Sequence, residues 1–210
     1  MFGARRQSKD IYAPLFKALH KCSDEGLLRR AALAKIVDVT TRGIERNVAQ
    51  LLTRTFSPID AQPWERAAVP TLDRYSKVTA AEVSLFALIR DFVGMTSTPS
   101  IFGTSLIEQG GLFEDLWTFD TGSHFLAMGL PRWLPVRSLS RAYAARERLL
   151  HHFKRYSVAM DQFVRGDEPS GEWGDMSDVG ELIQNRMKIM REANISPESR
   201  APFDLAYLWA

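Results

Sequence analysis

The four histidines of the chain are the first candidates for metal or acid–base chemistry: His20, His124, His151 and His152. None has a second histidine four residues later or a carboxylate three residues later, the spacings that place two metal ligands on one helix face. His151 and His152 lie among arginines in a predicted helix, where we expect a solvent-exposed titrating pair. The histidines therefore predict no metal site.

The single cysteine, Cys22, excludes an intrachain disulfide and an all-cysteine metal site. A lone cysteine is typical of a reducing compartment. Its neighbours Lys21, Ser23 and Asp24 form a polar stretch without a basic or apolar pocket, so we expect an inert thiol.

Other catalytic patterns are missing from the sequence. Gly110-Gly111 lacks the lysine and the strand-to-helix context of a phosphate-binding loop, and no Gly-x-Ser-x-Gly nucleophile elbow occurs. Asp115 and Asp120 lie around an aromatic patch, but the sequence gives no reason to pair them for acid–base work. Individual residues therefore assign no activity and no catalytic residue.

Composition places the chain among ordinary globular proteins. Its 210 residues are 45% apolar and 25% charged, and 27 basic against 25 acidic residues give a net charge of +2. The basic residues are not gathered into a stripe, so we expect no nucleic-acid partner. No secretory signal and no apolar run of ~18 residues occurs, so we expect a soluble, cytoplasmic chain without a membrane anchor.

The spacing of apolar residues predicts an all-α, mainly helical fold. Three N-terminal helices are predicted, over residues 10–20, 24–35 and 40–56. Thr40 or Thr41 is expected to cap the third. The proline-rich loop over 57–70 holds Trp64, which we expect to be a packing anchor.

Stronger patterns follow in the second half of the chain. The segment Thr-Ala-Ala-Glu at 79–82 resembles a capping box and predicts the start of a helix. The longest helix is predicted over 138–164 from its apolar stripe. A further helix is predicted over 178–193, with Asp178 and Glu181 as its cap.

The last eight residues, 203–210, form an apolar run with helical spacing. Leu205, Leu208 and Trp209 are spaced as i, i+3 and i+4, so we expect them to form one buried face of a helix. No C-cap glycine and no basic last turn follows, so the helix is predicted to be begun and not finished. On that basis residues 1–210 are expected to form a single incomplete helical domain.

Motifs in the second half resemble one family. They are Ile89–Gly103, which ends in a Thr-x-x-x-Phe-Gly pattern, then Leu116–Gly122 and Gly129–Leu134, and finally Phe203–Ala210. Their order and spacing are similar to the central helical part of the haem-thiolate monooxygenases, the cytochromes P-450, and most like fungal members allied to the sterol- and prostanoid-modifying branch. The resemblance covers roughly residues 79–210 and, more loosely, the helices before Thr79.

The resemblance implies a partial cytochrome P-450 fold, a helical half without the C-terminal haem-ligating region. Full-length relatives use haem iron, dioxygen and a flavoprotein reductase to oxidise a lipophilic small molecule, and they are associated with the endoplasmic reticulum membrane. Residues 203–210 resemble the start of the helix that crosses the haem face, where Ala210 is the first small residue. Lys17 or His20 is the candidate contact to a haem propionate; an ordinary surface position is the alternative for both.

The departures from the family pattern concern the haem centre. The family holds its iron through a cysteine near its C-terminus, whereas Cys22 lies in the wrong half. The Glu-x-x-Arg pair is missing, and Trp64 is followed by Ala68 where the family has a Trp-x-x-x-Arg propionate contact. We therefore expect a monooxygenase fragment that binds no haem stably and is inactive alone. The alternative is a non-catalytic helical interaction or scaffold protein.

Overall fold

The computed structural model describes residues 9–53, 59–68, 71–72, 81–169 and 172–209. The helices are α1 (Lys9–Ser23), α2 (Arg30–Asn47), α3 (Pro63–Ala68), α4 (Leu85–Ser97), α5 (Pro99–Phe102), α6 (Thr104–Ile107), α7 (Leu112–Ala127), α8 (Arg137–Arg165), α9 (Glu181–Glu192) and α10 (Pro197–Trp209). A π-helical turn, Asp24–Leu28, follows α1, and a 3-10 turn, Val48–Gln50, follows α2. One short antiparallel pair joins β1 (Thr71–Leu72) to β2 (Ala81–Glu82). The predicted all-α fold class is confirmed.

Helix α8 is the central element of the main core. Its buried hydrophobic positions recur every one to four residues: Leu139, Ala142, Ala145, Leu149, Phe153, Tyr156, Ala159 and Met160. This stripe packs against α7 and α10 and confirms the helix predicted over 138–164. The hydroxyl of Tyr156 donates to the carbonyl of Phe102 at 2.9 Å, so the phenol is satisfied inside the core.

The N-terminal region has fewer helices than predicted. The helices expected over 24–35 and 40–56 are replaced by the π-helical turn and the single helix α2. Half-buried positions recur along α2 at 32, 36, 40, 44 and 47, which is one continuous helical stripe. The predicted cap at Thr40 or Thr41 is therefore wrong, because both residues lie inside the helix.

Helix α2 ends at Asn47, nine residues before the predicted end at 56. The side-chain amide of Asn47 donates to the carbonyl of Gly43 at 2.8 Å, a local side-chain bond of the kind that competes with helix continuation. The predicted loop over 57–70 contains the short helix α3. Trp64 of this helix is buried against Phe92, with 5.3 Å between ring centroids in an edge-on arrangement, which confirms it as a packing anchor.

The two predicted helix caps have other roles. Ala81–Glu82 belong to β2 and helix α4 begins at Leu85, so the capping box expected over 79–82 is wrong; Thr79 and Ala80 lie outside the described residues. Helix α9 begins at Glu181, and Asp178 does not cap it. The Asp178 carboxylate instead accepts hydrogen bonds from the backbone N–H and hydroxyl of Thr104, each at 2.8 Å.

No helix of the described ranges has both the length and the apolar character needed to cross a bilayer.

Candidate functional site at the junction of α1, α9 and α10

A cleft of about 970 Å³ opens between α1, α2 and α9. Its apolar lining includes Ile36 and Val39 of α2 and Ile189 of α9. Lys35 and Glu181 also line it and form a salt bridge of 2.8 Å between α2 and α9. The cleft therefore combines an apolar surface with charges of both signs.

Cys22 is buried in the wall of this cleft, with 8% of its surface exposed. Its thiol donates a weak hydrogen bond to the carbonyl of Leu182, with 3.8 Å from Sγ to oxygen. Burial raises the pKa of the Cys22 thiol above its usual range, against a smaller opposing effect of the Arg186 charge. A buried thiol with a raised pKa is a poor nucleophile. The sequence predicts an inert thiol from polar neighbours, whereas in the structure the limit on its reactivity is burial in the cleft wall.

Lys17 and His20 lie on the exposed side of α1. The cleft is lined instead by Ala18, Lys21 and Cys22 of this helix. The ring of His20 contacts that of Phe16, with 5.1 Å between centroids. The third predicted site residue, Ala210, lies outside the described residues, so the structure describes no contact between it and the other two.

The end of α1 nevertheless reaches the end of α10. The hydroxyls of Ser23 and Tyr207 are in hydrogen-bond contact across 184 positions of sequence. Ser23 follows His20 by one helical turn of α1, and Tyr207 lies on α10, which ends at Trp209 among the described residues. The two regions proposed from the sequence therefore lie on helices that meet.

A buried pair of charges lies at the same junction. Asp204 of α10 is fully buried, and Arg186 of α9 is 2% exposed. Arg186 Nη1 lies 3.2 Å from Asp204 Oδ1, and its guanidinium carbon lies 3.8 Å from the ring centroid of Tyr207. The hydroxyl of Ser157 on α8 donates to Asp204 Oδ2 at 3.4 Å. Side chains of α8 and α9 thus contact one carboxyl group of α10.

Asp120 and Trp209 connect α7 to the end of α10. The indole N–H of Trp209 donates to Asp120 Oδ1 at 2.8 Å, and its ring packs edge-on against Phe119. Trp209 is 47% exposed and Leu208 is half-buried, whereas Leu205 is buried. The predicted single buried face of these three residues is therefore wrong for Trp209, because its polar N–H is directed to a surface carboxylate.

The remaining candidate acids and bases have structural partners. Asp115 is paired with Arg148, whose Nε donates to both carboxylate oxygens at 3.0 and 2.9 Å, so Asp115 and Asp120 have separate roles. His151 is exposed, but His152 is half-buried, and burial lowers its pKa, with the Arg155 charge acting in the same direction. The expected exposed pair is therefore wrong for His152. No cluster of three or more metal-binding side chains occurs among the described residues.

Part of the chain is similar to a fungal cytochrome P-450. It is 28% identical to the cytochrome P-450 monooxygenase fsoE of Humicola fuscoatra over 130 residues, which are 60% of this chain and 22% of that protein. The chain therefore covers less than a quarter of the relative's length. No family model matches the chain, and no solved structure matches it.

Cys22 does not fit the role of iron ligand to the haem that this relative implies. Its one cysteine is Cys22, and the thiol of Cys22 is buried against the Leu182 carbonyl with a raised pKa. A haem-thiolate ligand must be a deprotonated sulfur that faces the iron. The positive charge of Arg186 favours the thiolate, but the effect of burial is larger and keeps the pKa of Cys22 raised.

Sequence reasoning missed Arg186, Asp204 and Tyr207 as a group. One signal was present: Asp204 stands inside an apolar helical run, between Phe203 and Leu205. A carboxyl group in such a position is costly to bury, so it indicates a partner elsewhere in the fold. The partner Arg186 is 18 residues away on another helix and could not be named from spacing alone.

Proposed function

We propose that this chain is part of a cytochrome P-450-type monooxygenase that oxidises a lipophilic small molecule. The observation that carries the proposal is the 28% identity to a fungal cytochrome P-450 over 130 residues. The all-α fold supports it, because the family-like motifs over 89–103 and 116–122 fall on helices α4, α5 and α7, in keeping with the helical part of the family that they resemble. In the family, haem supplies the oxygen-activating chemistry and a flavoprotein reductase supplies electrons.

The contribution of this chain is proposed to be the substrate side of the enzyme. Residues 119–135 and 138–175 would cover the substrate channel, and the end of α10 would approach the haem face at Ala210. Lys17 or His20 of α1 would contact a haem propionate. The contact between Ser23 and Tyr207, which joins the ends of α1 and α10, supports this part of the proposal. The haem ligand would come from residues beyond the 210 of this sequence, and residues 1–210 would be one incomplete helical domain.

The first experiment is a haem titration of the purified 210-residue chain, with the Cys22→Ser variant as its control. We expect no Soret band with a thiolate-type shift on carbon monoxide binding, and no difference between the two proteins. A thiolate spectrum in the parent chain that Cys22→Ser removes would overturn the assignment of the ligand to residues outside this sequence.

The second experiment tests the family directly, by reading the coding sequence downstream of the Ala210 codon. We expect an open frame that encodes a Phe-x-x-Gly…Cys loop, and a haem-thiolate spectrum when that longer protein is expressed. In that protein, Lys17→Ala and His20→Ala should weaken haem retention. A frame that ends without such a loop would contradict the monooxygenase proposal.

One observation favours the alternative of a non-catalytic helical interaction protein. The side chains of Leu85, Phe86, Ile89 and Val93 are exposed on helix α4. Contiguous exposed apolar surface is typical of interaction sites. The same downstream sequence separates the two proposals, because a longer haem-binding frame would supply the residues to cover this face.

A further inference from the structure

The hydrogen bonding of Asp204 is poorly suited to a charged carboxylate. An ionised carboxylate can accept about four hydrogen bonds. Among the described groups Asp204 accepts one long hydrogen bond, from the Ser157 hydroxyl to Oδ2, while Arg186 Nη1 lies 3.2 Å from Oδ1 without the alignment of a good hydrogen bond. A protonated Asp204 has less need of donors, so the observed arrangement suits the neutral acid better.

Arg186 does not depend on Asp204 alone to remain buried. Its guanidinium lies over the face of Tyr207, where the ring provides a second favourable contact for the cation. Proton loss from Asp204 would draw the guanidinium toward the new charge and away from that ring. Tyr207 also contacts Ser23, so the change would reach α1.

We propose that Asp204 and Arg186 form a pH-dependent switch in the docking of α10 onto α8, α9 and α1. Docking is tightest when Asp204 is neutral and weakens when it is ionised. This switch is independent of the proposed monooxygenase function, since it uses only groups inside this chain.

The other polar groups around Asp204 do not take the place of Arg186 as its direct charged partner. Helix α8 contributes Ser157, Tyr156 and Asp161; α9 contributes Arg186; α10 contributes Arg200 and Tyr207. Arg200 is held by Asp161 at 2.7 Å and by the Ile195 carbonyl at 2.7 Å. Tyr156 donates its hydroxyl to Phe102. Arg200 therefore acts on Asp204 only at longer range, and Arg186 is its direct partner.

The direction of the pH dependence follows from burial. Burial raises the pKa of Asp204 from 3.8 to about 6, against opposing effects of Arg186, Ser157 and Arg200. The pKa of Asp204 is higher in the folded chain than in the unfolded chain, so protonation of Asp204 stabilises the folded state. This stabilisation of the folded state is complete below the unfolded pKa of 3.8 and is lost as the pH rises through about 6. The docking of α10 should therefore weaken between mildly acidic and neutral pH.

The test is amide hydrogen exchange of α10, followed by NMR on the 210-residue chain. Protection of the Leu205 and Ala206 amides should fall roughly 25-fold between about pH 4.5 and about pH 7.5, after correction for intrinsic exchange. The Asp204→Asn variant should keep the acid-side protection across this range. The matched control Asp161→Asn, which alters the other carboxylate at the α8–α10 interface, should retain the pH dependence.

A pH-independent protection in the parent chain, or an unchanged pH dependence in Asp204→Asn, would overturn the switch. A second measurement needs no variant. The side-chain carboxyl carbon of Asp204 should titrate near pH 6 in the parent chain, and a midpoint at or below its ordinary value of 3.8 would equally refute the proposal.

Discussion

Gly122 of α7 lies directly against Ala142 of α8. A methyl group placed on Gly122 would be 2.4 Å from the Cβ of Ala142 and 3.2 Å from the Ser138 carbonyl oxygen. Real Cβ atoms do not approach this closely, so the two helices are packed at nearly the smallest distance that their backbones permit.

The Gly122→Ala substitution should therefore destabilise the chain. Overpacking should lower the free energy of unfolding by about 2 kcal/mol, even after the better helix propensity of alanine is counted. Urea unfolding followed by circular dichroism measures this change. Gly110→Ala is the control, because a methyl group there meets nothing within 4 Å. Equal midpoints for the two variants would contradict the close α7–α8 packing.

The ion pair between Arg148 and Asp115 should contribute to stability, although 57% of the Arg148 side chain is exposed. Asp115 is buried, so Arg148→Ala would leave its carboxylate without its bidentate partner. The free energy of unfolding should therefore fall by about 1 kcal/mol. The matched control is Arg132→Ala on the pair with Glu147, whose side chains are 57% and 58% exposed. Arg132→Ala should produce no measurable change in the free energy of unfolding. A double-mutant cycle measures the coupling energy of each ion pair. Similar coupling energies for the two pairs would contradict the prediction that the Arg148–Asp115 pair is the stronger one.

Glu65 should be a structural acid and not a catalytic one. It is 1% exposed and accepts hydrogen bonds from the hydroxyl of Thr53 at 2.8 Å and from the amide of Gln62 at 2.7 Å. Glu65→Ala leaves these donors unpaired and should cost about 2 kcal/mol, with Glu65→Gln less damaging. Glu45→Ala, on an exposed position of α2, is the control. A thermal midpoint that does not change in Glu65→Ala would refute this role.

Cys22 should react slowly with thiol reagents in the folded chain. Burial limits access and raises the thiol pKa, so the thiolate fraction is lower than that of an ordinary cysteine. At about pH 8 its modification by an aromatic disulfide should be at least tenfold slower than in the urea-unfolded chain. Leu182→Ala should speed the reaction by opening the wall beside the thiol, whereas Leu33→Ala, on an exposed face of α2, should not. Equal rates in the folded and unfolded chains would exclude the buried position.

Long periodic patterns were sufficient to predict the helices that form the core. Helix α8 was expected over 138–164 and spans Arg137–Arg165, because its apolar stripe continues without interruption. Helix α9 was expected over 178–193 and spans Glu181–Glu192. Its start was placed too early because Asp178 has the residue type of a cap. The competing partner, Thr104, is 74 positions away, and local sequence contains no information about it.

The candidate site was less predictable for the same reason. Lys17 and His20 are candidates through the family resemblance, with an ordinary surface position as the alternative, and both lie on the exposed side of α1. The pairing of Arg186 with Asp204 depends on how three helices pack together. Such long-range pairings follow from the tertiary structure, whereas helix periodicity follows from neighbours along the chain.

The contact between Ser23 and Tyr207 has a consequence for biosynthesis. These residues are separated by 184 positions, and the Cys22–Leu182 contact by 160. During translation, α1 leaves the ribosome long before either partner has been made. Its half-buried face must remain without its native contacts to α9 and α10 until those helices emerge, which exposes the nascent chain to aggregation or chaperone binding in that interval. Closing so long a segment also makes the docking of α1 a slow, late event in folding.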